Sequence, residues 1–305
     1  MSTLAVLIVS YRTPSVTVAA VRSALDVAGV NEVVVVDNGS DDETLADLDR
    51  LGSSRVRTFA NGRNMGFGVA ANRAAREAES DVLLFLNSDA QLTTLATEEL
   101  TSELLTRNGR AIVGPRIVDP SGTVQRTAGL LPGPFDLVVR ALGVSHLAQR
   151  AAALPVAASL VRRSRTMADY ASALDAIDTL ETSMVTGACF AIGREAFWEL
   201  GGFDERFFMY FEDADLCKRA AAAGMPIRYV PSAVVTHIGG ASSEGDYRFS
   251  PMHARSMRQY LEKWWGLPGA ALAILLLWLR LVGHALVLHP GTSKAFAAFR
   301  AAVRG

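Results

Sequence analysis

Apolar runs alternate with mixed, helix-like stretches along the first ninety residues of the chain. The runs Leu4–Val9, Glu32–Val36 and Asp81–Leu86 are almost continuously apolar, which is typical of parallel strands buried on both faces. A shorter run, Val56–Phe59, predicts a fourth strand. We predict helices between these strands, at residues 14–26, 44–51 and 69–79. Strands that alternate with helices indicate βα units, and therefore an α/β fold built on a mostly parallel sheet.

The pattern is less regular beyond residue 90. We predict a strand at 111–114 that Pro115 ends, a second strand at 185–192 and a third at 229–236. Helices are expected at 194–200 and from Asp215 to about Gly224.

An insertion at residues 130–182 is rich in Ala and Arg and has only weak helical periodicity. Two structures fit this composition, a flap over a site or a pair of solvated surface helices. A small basic cluster, Arg162, Arg163 and Arg165, favours the solvated surface.

The C-terminal tail differs from the rest of the chain. After an amphipathic helix that ends at Trp265, nearly every residue from Leu267 to Leu288 is apolar, with Arg280 and His284 as interruptions. A spanning helix needs about 20 uninterrupted apolar residues, so Arg280 disfavours a span. We predict a helix that lies in the membrane interface. A helix buried against the main domain and a homodimer face are the alternatives.

Composition and charge narrow the classes of function. The chain has 305 residues, half of them hydrophobic, which suits one large domain at 1–245 and an appended tail at 246–305. Its net charge of −1 provides no field that would attract nucleic acid. The two cysteines, Cys189 and Cys217, have neither metal-ligand spacing nor a disulfide framework, which suits a reducing compartment. The first apolar run is too short for a signal peptide, so we expect no secretion.

Polar residues follow the C-terminal ends of the early strands. Asp37 ends the second strand, Arg63 and Asn64 follow the third, and Asp89 follows the fourth. Because open parallel sheets bind ligands at that edge, we expect a site there. A carboxylate at Asp89 can hold Mg²⁺ or Mn²⁺ together with substrate phosphates, and one at Asp37 can accept a hydrogen bond from a pyrimidine or ribose. Taken singly, each residue has a plainer explanation as a turn former.

The loop Asn61–Gly68 carries three glycines ahead of a predicted helix. Glycines let the backbone approach a ligand closely, and a helix N-terminus favours phosphate. The dinucleotide fingerprint would follow the first strand, where Ser10–Pro14 stands instead, and the sequence has no Gly-Lys-Ser/Thr phosphate loop. NAD-dependent and ATP-dependent enzymes are therefore disfavoured.

The strongest candidate chemistry follows an aromatic run at residues 207–211. The run ends in the carboxylates of Glu212, Asp213 and Asp215, at the start of a predicted helix. Acids at a helix N-terminus are usually caps. Capping does not require neighbouring aromatic side chains, so we favour a site that accepts a proton or orients a cation. His237 follows the next predicted strand, and a neutral imidazole is an acceptable Mn²⁺ ligand.

Ordered motifs along residues 4–243 resemble the family 2 inverting glycosyltransferases of the GT-A fold, nearest the rhamnosyltransferase-like branch of bacterial cell-wall and O-antigen synthesis. The motifs are Ile8–Tyr11, Val36–Ser40, Asn64–Gly68, Leu86–Asp89, Thr186–Ala188, Gly201–Glu205, Phe211–Asp213 and His237. The resemblance implies a Rossmann-like, mostly parallel central sheet flanked by helices, with a C-terminal apolar helical tail.

The resemblance also implies roles for individual residues. Asp213 matches the catalytic base, and Asp89 matches the carboxylate that holds a divalent metal, Mg²⁺ or Mn²⁺. His237 matches a position that completes the metal shell in some members, and Asp37 would bind the nucleobase. Further substrate-binding positions are Ser10, Tyr11, Arg63, Asn64, Gly66, Asn87, Ser88 and Glu212, with Thr186 and Gly187 on the acceptor side.

Two positions depart from the family pattern. Asn87 stands where the first Asp of the Asp-x-Asp metal motif is expected, and a neutral amide is a weaker ligand. Ser183–Val185 stands where a tryptophan often precedes the Thr/Ser-Gly motif. Asn87 leaves open a non-catalytic member that only binds nucleotide sugar, although the intact Asp213 and His237 argue against it. A nucleotidyltransferase would need a glycine- and Lys/Arg-rich signature after the first strand, which the sequence lacks.

The resemblance implies transfer of L-rhamnose from dTDP-L-rhamnose, or of a hexose from a UDP-sugar, to a polyprenyl-diphosphate-linked saccharide. Such an acceptor would place the protein in the cytoplasm, peripheral on the inner face of the cell membrane. The reaction expected is a single displacement that inverts the anomeric configuration.

Overall fold

The computed structural model describes residues 2–125, 127–134, 176–239, 250–286 and 292–304. These residues fall into two compact units. The first comprises residues 2–125, 127–129, 176–205 and 212–239, and the second comprises 130–134, 206–211, 250–286 and 292–304. Most of the predicted insertion at 130–182, including its basic cluster, lies outside the described residues.

A nine-stranded mixed sheet forms the centre of the first unit, counted over the described residues. The strands of this unit are β1 (Leu4–Ser10), β2 (Val30–Asp37), β3 (Val56–Ala60), β4 (Val82–Asn87), β5 (Ala90–Gln91), β6 (Ile112–Val118), β7 (Ala128–Gly129), β8 (Leu180–Thr182), β9 (Met184–Val185), β10 (Cys189–Gly193) and β11 (Ile227–His237). The strand order is β3-β2-β1-β4-β10-β6-β11-β5, β8 also pairs with β11, and β7 and β9 form a separate pair.

The first four long strands confirm the prediction from the apolar runs. β1 to β4 are parallel to one another, whereas β10 pairs antiparallel with the other edge of β4. The side chains of Val6, Ile8, Val35 and Leu84 are fully buried. The helices of this unit are α1 (Pro14–Leu25), α2 (Thr44–Asp49), α3 (Phe67–Glu77), α4 (Thr94–Leu105), α5 (Arg194–Glu199) and α6 (Glu212–Ala222). Parallel strands joined by helices place all their C-terminal ends at one sheet edge, as the sequence predicts.

Pro115 does not end β6, contrary to the prediction. A proline lacks the N–H that a sheet ladder needs. On one side, however, β6 pairs with β10 only at Val113, and on the other side the register with β11 shifts between Val230 and Val234, where Pro115 lies. The missing donor therefore falls where regular pairing is already interrupted.

Three other predictions were wrong in detail. The strand expected at 185–192 is split into β9 and β10, and the residues between them turn toward the candidate site. α6 begins at Glu212, so the acids form its first turn, where the helix dipole favours them. α4 was not predicted, although Thr93 caps it by accepting a hydrogen bond from the Ala96 N–H at 3.1 Å.

The second unit contains α7 (Pro251–Leu286) and α8 (Thr292–Arg304). α7 is interrupted at Gly266, whose φ of 64° and ψ of −154° are not helical. No helix in the described part of the chain is both long enough and apolar enough to cross a membrane. Several large apolar side chains of these helices are nevertheless exposed: Leu267, Leu275, Trp278, Leu279, Phe296 and Val303.

Candidate active site

Asp37 lies at the end of β2 and is almost completely buried. Its Oδ1 accepts hydrogen bonds from the hydroxyls of Ser10 (3.0 Å) and Ser40 (2.6 Å). Its Oδ2 accepts from the backbone N–H groups of Gly39 (3.2 Å) and Ser40 (2.9 Å). Gly39 has a φ of 85°, and a Cβ there would lie 2.4 Å from the Cα of Arg63. Four donors therefore hold both oxygens of Asp37 in fixed positions.

Asn38 joins the end of β2 to the glycine-containing loop. Its Nδ2 donates to Asn64 Oδ1 (3.0 Å) and to the carbonyl of Gly66 (3.2 Å). Its Oδ1 accepts from Asn61 Nδ2 (2.9 Å) and from the Met65 N–H (3.0 Å). The loop is thereby held at the sheet edge beside Asp37. The sequence analysis did not single out Asn38, although it lies within the Val36–Ser40 motif.

Tyr11, Arg63 and Ser88 have less defined roles at this edge. The ring of Tyr11 lies 5.2 Å from the guanidinium carbon of Arg12, and the exposed Arg63 contacts Met65 through Nε. Ser88 is buried, with its hydroxyl 3.3 Å from that of Thr13. As substrate-binding residues, all three remain predictions.

Asn87, Asp89 and His237 come together at the ends of β4 and β11. β5 pairs antiparallel with β11, with Ala90 opposite His237, and this register brings Asp89 beside the imidazole. His237 Nε2 lies 3.1 Å from Asp89 Oδ1 and 3.3 Å from Asn87 Nδ2. Within the described residues, no group of three or more His, Cys, Asp or Glu side chains gathers as a metal site. The candidate metal site therefore consists of one carboxylate, one imidazole and one amide.

Gln125 fixes the tautomer of His237. The amide Nε2 of Gln125 donates to the His237 carbonyl at 2.8 Å, so its Oε1 is the atom that lies 3.0 Å from Nδ1. Because that oxygen can only accept, Nδ1 must carry a proton. In the neutral ring, Nε2 then presents its lone pair, next to the Asp89 carboxylate. Asn87 Nδ2 can donate to that lone pair, and an imidazole nitrogen beside a carboxylate oxygen is a donor set that fits a divalent cation.

Asp213 lies in the first turn of α6, facing the turn between β9 and β10. Its Oδ2 accepts a hydrogen bond from the Gly187 N–H at 2.9 Å, and its Oδ1 lies 2.7 Å from the Ala214 nitrogen. Burial raises the pKa of this carboxyl, while the hydrogen bond from Gly187 acts in the opposite direction. A carboxylate with a raised pKa is a better proton acceptor, so the geometry suits a general base.

Glu212, next to Asp213, is the more deeply buried acid. Its Oε2 has no hydrogen-bond partner among the residues that the structure describes. Burial, and then the neighbouring charge of Asp213, raise the pKa of Glu212 to about 8. Because the charge of Asp213 adds to the effect of burial at Glu212, Glu212 is the acid of this coupled pair that ionises less readily.

Asp215 is separated from this chemistry. It is completely buried, and its Oδ2 accepts a hydrogen bond from Arg219 Nε at 2.8 Å, one helical turn later. Arg219 also donates to the carbonyl of Leu200. Of the three acids that end the aromatic run, Asp215 is thus structural.

Thr186 and Gly187 occupy the turn that faces Asp213. The Thr186 N–H donates to the carbonyl of Thr127 at 2.8 Å, which holds the turn in place. The hydroxyl oxygens of Thr186 and Thr127 are both buried and have no partner in the described ranges. Buried hydroxyls without a partner call for an explanation, and the acceptor-side role of Thr186 remains a prediction.

Asn72 on α3 anchors the Gly201–Glu205 motif. Its amide accepts from the Phe203 N–H (2.8 Å) and donates to the Phe203 carbonyl (2.9 Å) and to Glu205 Oε1 (3.0 Å). A Cβ at Gly202 would lie 2.7 Å from Asn72 Oδ1. The motif is therefore a close-packed support rather than a ligand site. No local pattern in the sequence identifies Asn72, because its partners are about 130 residues away.

Comparisons with known proteins identify related sequences. The family model described as "Glycosyl transferase family 2" matches residues 5–201, more than half of the chain. The N-acetylglucosaminyl-diphospho-decaprenol L-rhamnosyltransferase of Mycobacterium tuberculosis is 30% identical over 254 residues, which cover 77% of each chain.

Two solved structures share the fold. The mannosyltransferase PcManGT from Pyrobaculum calidifontis, in complex with GDP-Man and Mn²⁺, is 16% identical with a TM-score of 0.57, over 99% of this chain and 86% of that one. GalNAc-T7 with UDP, GalNAc and Mn²⁺ is 18% identical with a TM-score of 0.58, over 84% of this chain. This chain spans about half (48%) of the GalNAc-T7 chain. At these identities the likeness shows the fold alone, and it confirms the GT-A architecture.

Proposed function

This chain belongs to glycosyl transferase family 2, and we propose that it moves L-rhamnose from dTDP-L-rhamnose to a hydroxyl of a polyprenyl-diphosphate-linked saccharide. The observation that carries the proposal is the Asp213 carboxylate, which is held by the Gly187 N–H beside the buried Glu212. A carboxylate so placed can take a proton from an acceptor hydroxyl.

The proposed reaction is one displacement with inversion. Asp213 removes the proton of the acceptor hydroxyl as its oxygen forms a bond to the anomeric carbon. The bond from that carbon to the diphosphate oxygen breaks, and its electron pair leaves with the nucleoside diphosphate. Glu212 stays protonated, so it does not compete for the acceptor proton. Asp37 orients the nucleobase at the end of β2. For this contact, the hydroxyl of Ser10 or Ser40 rotates away from Asp37 Oδ1, so that this oxygen can accept a hydrogen bond from the nucleobase.

Asp89 and His237 would hold a divalent metal ion, with Asn87 as a neutral third group. When bound, such an ion supplies positive charge against the donor diphosphate. Mn²⁺ suits a site that contains imidazole, and both structural neighbours described above contain Mn²⁺. Gln125 keeps His237 in the tautomer that can bind the ion.

The rhamnosyl donor and the lipid-linked acceptor are supported by the name of the mycobacterial relative. A UDP-hexose donor is the second candidate, because one fold neighbour contains UDP. A non-catalytic member that only binds nucleotide sugar is the third, and Asn87 is the residue that favours it. The first two candidates differ in the nucleotide sugar that should stabilise the protein, and the third differs from both because it would give no transfer product.

We further propose that the protein is cytoplasmic and peripheral on the inner face of the cell membrane. The support is the set of exposed apolar side chains on α7 beyond Gly266 and on α8. Removal of residues 267–305 should move the protein from the membrane fraction to the supernatant. Unchanged fractionation would contradict the membrane contact but not the reaction.

A thermal-shift panel of nucleotide sugars, with and without Mn²⁺, tests the donor. Ligands that bind only the folded state raise Tm by mass action. We expect dTDP-L-rhamnose with Mn²⁺ to raise Tm most, and an incubation with a synthetic diphosphate-linked acceptor to give a rhamnosylated product. A rise in Tm with UDP-sugars alone would indicate a UDP-sugar donor in place of dTDP-L-rhamnose. No response to any nucleotide sugar would contradict the proposed activity.

A further inference from the structure

The first half of α7 presents one charged face. Residues Arg255, Arg258, Gln259, Glu262 and Lys263 are spaced by three or four positions, so they lie along one side of the helix. The residues of the opposite side are buried: Ala254, Met257, Tyr260 and Leu261. The charged face is therefore a consequence of the amphipathic pattern, and it is available to a ligand.

The loop 206–211 is fixed against this part of α7 within the second unit. The hydroxyl of Ser256 donates to the Met209 carbonyl at 2.8 Å, and the rings of Phe211 and Tyr260 are 5.3 Å apart. Tyr210 and Phe211 have φ angles of 72° and 69°, a conformation that aromatic residues adopt only when packing enforces it. The loop is thus held in a defined position.

A cavity of about 420 Å³ lies between the loop and the helix. It is lined by Arg206, Phe207, Arg255, Arg258, Gln259, Glu262 and Lys263. Four of these side chains are cationic and one is acidic, so the lining has a formal charge of +3. A volume of this size accommodates a small polar ligand, and the charge selects an anion.

Arg258 is the best-ordered cation of this cavity. Its Nη1 donates to the Ala302 carbonyl at 2.9 Å, and its Nη2 lies 3.7 Å from Glu262. Its Nε is buried and has no partner in the described part of the chain. Because its Nη1 is held by a backbone carbonyl, the guanidinium has a fixed position in the lining, and guanidinium groups match the geometry of a phosphate.

We propose that this cavity binds the diphosphate of the acceptor, an inference that rests on the proposed function. Each phosphate of a lipid-linked diphosphate carries a negative charge, which the cationic lining complements. The cavity would recognise the group that distinguishes a lipid-linked acceptor from a free saccharide.

The test compares two Arg→Glu variants that make the same charge change. Arg255 is exposed and lines the cavity, whereas Arg300 is exposed on α8 and does not. For Arg255→Glu we expect KM for a diphosphate-linked acceptor to rise at least ~10-fold, as for loss of a charged contact. Its KM for an alkyl glycoside of the same saccharide, its KM for the donor and its rate of donor hydrolysis should not change. Arg300→Glu should behave as wild type in all four measurements.

A calorimetric titration with pyrophosphate in the presence of EDTA separates the possible outcomes. Binding by wild type that Arg255→Glu loses supports the proposal, even if no acceptor is turned over and the proposed function fails. Unchanged pyrophosphate affinity and acceptor KM in Arg255→Glu would overturn it. If Arg255→Glu loses only its partition onto phosphatidylglycerol vesicles, the charged face contacts lipid headgroups and the acceptor assignment is wrong.

Discussion

Asp37 and Asp213 are both carboxylates of the first unit, yet their surroundings differ. The oxygens of Asp37 accept four hydrogen bonds, from Ser10, Gly39 and Ser40. Among the described residues, Asp213 is held by backbone N–H groups alone, beside a buried Glu212 whose pKa is raised to about 8. Many donors fix a carboxylate as an anchor, whereas burial with few donors favours proton uptake. The same functional group can therefore orient a ligand at one site and move a proton at the other.

The largest effect is expected for Asp213→Asn. An amide can still accept the hydrogen bond from the Gly187 N–H, but it cannot remove a proton from the acceptor hydroxyl. We expect kcat to fall ~10³-fold, within the range for loss of a general base, while KM for the donor stays within ~2-fold. Steady-state transfer assays give both values.

Glu212→Gln is the matched comparison for that variant. Because we propose that Glu212 keeps its proton during the reaction, an amide of the same shape should leave kcat within ~5-fold of wild type. A loss in Glu212→Gln as large as that in Asp213→Asn would show that the assignment of the base within the pair is wrong.

Asp37→Asn should have the next largest effect, on binding rather than on turnover. The asparagine amide can preserve the bonds to the Gly39–Ser40 turn and to both serine hydroxyls, but it has no second oxygen for a nucleobase N–H. We expect KM for the donor to rise ~10-fold, as for loss of a charge-assisted hydrogen bond, with kcat at saturating donor almost unchanged. A fall in kcat with unchanged KM would contradict the role of Asp37 as an anchor.

A smaller effect is expected when Gln125 no longer fixes the His237 tautomer. In Gln125→Leu, Nδ1 loses its acceptor, and we expect Mn²⁺ affinity to fall ~10-fold, as for loss of a second hydrogen-bonding partner of a metal ligand. Gln125→Glu keeps an acceptor at Nδ1 and is the control. Manganese binding can be followed by electron paramagnetic resonance without substrate. Equal affinities in wild type and Gln125→Leu would contradict the tautomer argument.

The pattern of residues predicted the sheet edge but not its supports. Asp37 and Asp89 were expected there because they follow apolar runs, and parallel strands bring such ends together. His237 was predicted as a metal ligand from the family resemblance. Gln125 and Asn72 were missed, because each acts through partners more than 100 residues away and lies in no recognisable local motif. Long-range pairings of single amides leave no periodic signal in a sequence.

The smallest effect concerns stability and pH. The pKa of Glu212 is raised from about 4.5 to about 8, so the folded protein retains a proton that the unfolded chain releases in that range. This contribution to stability is complete below pH ~4.5 and is lost as pH rises through ~8. The glutamine in Glu212→Gln does not titrate. The Tm of this variant should therefore rise relative to the Tm of wild type as the pH increases from 5 to 9. The surface variant Glu98→Gln is the control, and parallel Tm curves for wild type and Glu212→Gln would contradict the raised pKa.

The most direct test of the contrast between anchor and base is a calorimetric titration of dTDP-L-rhamnose, with Mn²⁺, into wild type, Asp37→Asn and Asp213→Asn. We predict that Asp37→Asn weakens Kd ~10-fold and that Asp213→Asn, although inactive, binds the donor within ~2-fold of wild type. Loss of donor binding in Asp213→Asn, or unchanged binding in Asp37→Asn, would contradict the account.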